Sequence, residues 1–178
     1  MKRIPLTLFF VAFLTAAPAL AGPPLVCHAI DIGTAKSLPW SSTPGWNGAQ
    51  TSYDLSHLSD DTLSLLTPQM PIDVRRETLR RAAIYSAAQP GLAQNLTARL
   101  VARATDAEAA GKPDPSAWFD AGYFVETVRQ AATVYPLLRM ESTGVDGLAW
   151  IEKAIQLGGQ DMERAAAMVE SATNRLAR

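Results

Sequence analysis

One cysteine and two histidines are all the thiol and imidazole groups that this 178-residue chain offers as metal donors or nucleophile partners. A single cysteine, Cys27, closes no internal disulfide, so the fold must stand on packing. In an oxidising compartment that thiol is buried, free, bound to something or paired with another chain. With only His28 and His57 available, neither near a recognisable nucleophile turn, a serine-type triad is hard to assemble. Runs of alternating β-branched residues of strand length are missing, which argues against sheets. A strong charge of either sign is missing too. Sixteen basic residues stand against 17 acidic ones, for a net charge of −1. General nucleic-acid binding needs a basic surface to displace phosphate counterions, so the balance argues against that class, and no nucleic-acid partner is expected. Beyond Ala21 there is no second long apolar run, and so no membrane span is expected in the remainder.

What is present begins with a leader. Lys2 and Arg3 form a positive n-region, Ile4 to Leu14 an apolar stretch, and Ala19-Leu20-Ala21 a small-x-small cleavage pattern. The apolar stretch is shorter than the roughly 20 residues needed to cross a bilayer. Residues 1–21 therefore read as a secretory signal peptide, with a mature protein from Gly22 exported to the periplasm or beyond. A lipoprotein alternative, with Cys27 acylated, meets Val26 where a small residue is wanted. The mature chain is long enough for one domain with its own core.

Residues 22–58 read as an irregular arm. Pro23, Pro24, Pro39 and Pro44 break regular elements, while Trp40, Trp46 and Tyr53 mark the segment as packed, since disordered segments are poor in aromatics. From Ser59 the pattern becomes helical. Ser59-Asp60-Asp61 is expected to cap a short helix that stops at Pro68. A second helix is predicted from Pro71 to about Ala88, and a third from Gly91 to Ala110. A fourth is capped by Asp114 with Pro115 at its first position, where the missing N–H costs nothing. Ala117, Ala121, Phe124, Val128, Ala131 and Tyr135 make its main stripe, and Phe119, Tyr123 and Val134 a second, so it should be sandwiched. A fifth helix starts at Asp146. A sixth carries the seam Met162, Ala165, Val169, Ala172 and Leu176. The fold class expected for residues 59–178 is all-α: antiparallel helix pairs joined by short linkers, stacked as an α-solenoid or gathered into a compact α–α bundle.

Trp118 and Asp120-Ala121-Gly122-Tyr123 resemble the first-helix packing signature of tetratricopeptide-type repeats, and Trp150 to Ala166 loosely resembles another such pair. The stretches Leu25 to Gly33 and Glu77 to Ala82 are similar to an uncharacterised group of exported bacterial proteins. That likeness implies an exported helical protein and brings no activity with it.

Three sets of residues could carry chemistry. Cys27, His28 and Asp31, with His57 folded back onto them, offer thiolate, imidazole and carboxylate donors for a metal or small ligand. Cys27 and His28 are neighbours in an extended segment, however, and neighbouring side chains point to opposite sides. Arg75, Arg76, Arg80 and Arg81 form a cationic cluster around Glu77. It can be a solvated face with helix-surface pairing, a site for an anion or acidic partner, or a buried pairing with Asp120 or Glu126. Asp120, Tyr123 and Glu126 are polar groups on the sandwiched helix and must find partners there. Gly33-Thr34-Ala35-Lys36-Ser37 lacks the Gly-Lys pair of a phosphate loop. The sequon Asn95-Leu96-Thr97 falls inside a predicted helix. The tryptophans read as packing anchors before they read as a carbohydrate platform.

No catalytic signature emerges. The expectation is a non-enzymatic exported protein that binds a protein or peptide through a groove between helix pairs. The alternative is a metal- or small-ligand-binding protein using Cys27 and His28. A hydrolase ranks third, and no cofactor is expected apart from that metal.

Overall fold

Two of the helices begin where an aspartate side chain stands in for the hydrogen-bond partners that the first backbone N–H groups lack. The computed structural model describes residues 23–42, 45–140 and 145–176, and the leader expected over residues 1–21 lies outside the described residues. Among the described residues there are seven α-helices and no strand: α1 Pro24–Cys27, α2 Leu58–Leu65, α3 Ile72–Ser86, α4 Leu92–Ala109, α5 Pro115–Ala131, α6 Gly147–Gln156 and α7 Glu163–Leu176. The Asp114 carboxylate accepts the Ser116 N–H at 2.8 Å with Pro115 as the first helical residue of α5. The Asp146 carboxylate accepts the Ala149 N–H at 3.2 Å to open α6. Both caps are where the sequence puts them. Gly91, at φ 85°, turns the chain between α3 and α4 in a left-handed conformation that few other residues tolerate.

Three boundaries differ from expectation, each for a local reason. Asp54, not Ser59, supplies the first cap: its carboxylate accepts the Ser56 N–H at 2.9 Å, and a 3₁₀ turn over Leu55–His57 runs straight into α2. Helix α5 ends at Ala131, short of Pro136, which instead opens a 3₁₀ turn over Pro136–Met140. The arm holds one helix of its own. In α1, Pro24 is tolerated because the first turn needs no N–H from it.

Helix α5 is the axis of the domain. It packs against α1, α3, α4, α6 and α7, and every residue from Ala117 to Val128 is buried. In a solenoid each pair meets only its neighbours. A central helix touched by five others makes this a compact bundle. The arm lies over α3 and α5. Leu25, Val26 and Leu38 are buried, each a gain of about 1.5–3 kcal/mol. Trp40 meets Tyr85 edge-on at 5.8 Å, and Trp46 meets Tyr135 at 6.1 Å. The tryptophans anchor the arm, as expected.

Candidate functional site

The arginine cluster on α3 divides between two tasks. Arg75 is 1% exposed and donates to the Asp120 carboxylate of α5 at 2.6 Å. Arg103 of α4 reaches the same oxygen, and the two arginines also donate to the carbonyls of Thr67 and Leu66. Of the readings open for the cluster, buried pairing with Asp120 holds for Arg75. Burial pushes the Asp120 carboxyl up from its ordinary value, and the two guanidinium charges pull it back. Arg80 donates to Glu77 at 2.7 and 2.9 Å and to the carbonyls of Val26 and Trp46. Arg81 donates to Glu77 at 2.8 Å and to the Leu38 carbonyl at 2.9 Å. Glu77 also accepts the Ile30 N–H at 3.0 Å. These groups form a buried clamp that holds the arm to α3, and Trp40 covers both guanidiniums at 5.1 and 5.3 Å. Burial alone would raise the Glu77 carboxyl, but Arg80, Arg81 and the Ile30 N–H together hold it below its ordinary value.

Arg76 is the exception. Its side chain is 10% exposed; one terminal nitrogen pairs with Asp73 at 3.0 Å, and the other meets Met168 Sδ at 3.5 Å. Its Nε is buried with no hydrogen-bond partner. Arg76 lines a cavity of about 530 Å³ between the arm, α3, α5 and α7, together with His28, Ile30, Tyr123, Arg164 and Met168. Tyr123 is 1% exposed and stacks on Phe119 at 5.5 Å. Burial holds its phenol above the ordinary value, against the pull of the Arg76 guanidinium. Of the polar trio on α5, only Tyr123 reaches this cavity. Glu126 instead accepts from Gly147 N–H at 3.1 Å and from the Thr173 hydroxyl at 2.9 Å, tying α5 to α6 and α7.

The other candidate donors are dispersed. Cys27 is half-buried at the end of α1; burial pushes its thiol up and Arg80 offsets this in part. That direction is opposite to what a nucleophilic thiolate needs. Asp31 accepts the Gly33 N–H at 2.9 Å in a local turn. His57 Nε2 lies 3.7 Å from Asp54, with both side chains exposed. Among the described residues, no three of His, Cys, Asp and Glu stand close enough to hold a metal ion. Of that set, His28 borders the cavity beneath the arm.

A second, smaller groove of about 270 Å³ runs between α6 and α7. Leu148, Ile151 and Ile155 form its floor, and Glu152, Glu163 and Glu170 stand along it. Sequence reasoning missed both Arg164 and this acidic row. A charged residue on the outer face of an amphipathic helix carries no local signal of what lies beside it.

No family model matches this chain, and no curated protein or solved structure matches it either.

Proposed function

We propose that the chain is an exported, non-enzymatic binding protein whose partner is a protein or peptide, seated in the groove between α6 and α7. The observation that carries this reading is the pairing of an apolar floor with an exposed row of three glutamates, Glu152, Glu163 and Glu170. No ion pair to any of the three is present among the described residues. Leu148, Ile155 and Ala166 are half-buried and leave apolar surface for a guest. A helical segment laid in such a groove presents apolar residues at i, i+3, i+4 and i+7, and its flanking charges must complement the acidic row. The partner segment is therefore basic and amphipathic.

The test is fluorescence anisotropy with a labelled amphipathic Lys/Leu helix and a Glu/Leu helix of the same pattern. The basic peptide should bind and weaken as salt is raised. Glu170→Lys should weaken it about three- to tenfold, as expected for a modest exposed charge contact of roughly 0.7–1.4 kcal/mol. Equal binding of both peptides, or an unchanged affinity in Glu170→Lys, would rule the groove out.

A further inference from the structure

The cavity beneath the arm adjoins the α6–α7 groove at Ala167, and its chemistry has the opposite sign. Four observations converge there. Its walls are largely apolar, with Leu25, Ile30 and Met168 among them. Arg76 lines it with a guanidinium that is nine-tenths buried and whose Nε has no hydrogen-bond partner. Arg164 of α7 lines it as well, and no ion pair to Arg164 is present among the described residues. The volume of about 530 Å³ lies within the range of small-molecule sites.

A buried donor without an acceptor is costly, on the order of 1–3 kcal/mol; Arg103 Nε, Trp118 Nε1 and Gln130 Nε2 are also unpaired, but among these residues only Arg76 lines this cavity. Asp73 is 62% exposed, so its pairing with Arg76 is solvent-screened; the other terminal nitrogen meets only Met168 Sδ, a weak acceptor, and the guanidinium lies 5.8 Å from the centre of the Tyr123 ring. Asp161 and Glu163 line the adjoining cleft with Arg76 and Arg164, which limits the net positive charge available. That balance suits a singly charged head better than a phosphate dianion. The apolar walls call for a body that is not itself polar.

We propose that this cavity binds a small organic monoanion, a carboxylate on an aliphatic or aromatic body. The carboxylate lies against Arg76 and Arg164, with the Tyr123 ring at the inner wall. Arg is suited to the head group because its planar fork matches a carboxylate. Met168, 48% exposed, borders the cavity and adapts its shape to the guest. His28 is exposed and borders the same cavity.

Titration calorimetry on the purified chain tests this with decanoate, decan-1-ol and decyltrimethylammonium, each kept below its aggregation limit. Decanoate should bind one-to-one and at least about tenfold tighter than the other two, the difference a charged hydrogen-bonded head makes. Arg164→Gln should weaken decanoate about tenfold. Met168→Glu places a carboxylate beside Arg76 and should weaken it by a similar factor. Both changes are at exposed positions, and thermal melting verifies that each variant is folded. Absence of saturable binding, equal affinity for decanoate and decanol, or parent-like decanoate affinity in either variant overturns the proposal. None of these outcomes bears on the α6–α7 groove, which Glu170→Lys tests by itself.

Discussion

Gly122 of α5 and Gly147 of α6 face each other with no room for a side chain on either. A methyl group at Gly147 would lie 2.6 Å from the Gly122 carbonyl and 2.8 Å from Glu126 Oε1, and one at Gly122 would lie 2.8 Å from Ile151 Cγ1 and against the Gly147 carbonyl. This contact lets α6 settle on the central helix closely enough for Glu126 to accept the Gly147 N–H.

Gly122→Ala should therefore cost about 1–3 kcal/mol, the range for overpacking a tight contact, despite alanine's better helix propensity. Urea unfolding followed by circular dichroism measures it. A variant as stable as the parent would mean that the helices separate freely at this point.

Asp120 is fully buried and answers two arginines. Asp120→Leu should lose about 3–5 kcal/mol, because Arg75 is left charged and unpaired in the interior. Arg103 is 27% exposed and can turn to water. Adding Arg75→Met to Asp120→Leu should recover part of the loss, since an apolar pair can replace a buried ion pair at little cost. Chemical denaturation of the two variants checks the sign; a double variant less stable than Asp120→Leu would contradict the pairing.

Glu77 ties the arm to α3, and its carboxyl is held below the ordinary value of 4.5. A depressed folded value means that the stabilisation is fully present above the unfolded value and is lost as pH falls through the folded one. Between about pH 5 and pH 3, the urea midpoint of the parent should therefore drop more steeply than that of Glu77→Gln. Hydrogen exchange at the Ile30 amide should also be faster in Glu77→Gln at neutral pH. Parallel pH profiles and unchanged exchange would sink this account of the clamp.

Cys27 has a thiol pushed up by burial at the end of α1. Near pH 8 it should react with a disulfide reagent more slowly than a free thiol, and at the free-thiol rate once the chain is unfolded. A native thiol faster than the free one would point to an activated nucleophile.

Much of the helical framework was legible because its signals are local. Asp114-Pro115, Asp146 and Gly91 act on backbone groups within one turn, and so the starts of α4, α5 and α6 could be read directly from the chain. The stripe from Ala117 to Ala131 marked the sandwiched helix for the same reason: periodicity reports burial one residue at a time. The short α1 was hidden because its two prolines read as breakers and tertiary packing holds only one turn of helix.

The fate of the charges was decided elsewhere. Arg75, Arg76, Arg80 and Arg81 are alike in sequence, yet Arg75 meets Asp120 across 45 positions, Arg80 meets the Val26 carbonyl across 54, and Arg76 is left facing a cavity. A helix fixes only which face a residue occupies. Whether water, a carboxylate or an arm covers that face depends on chain segments brought together by the whole core. The sequence by itself determined the helices and their register. Only the tertiary structure decided which arginines hold the molecule together and which one lines a cavity.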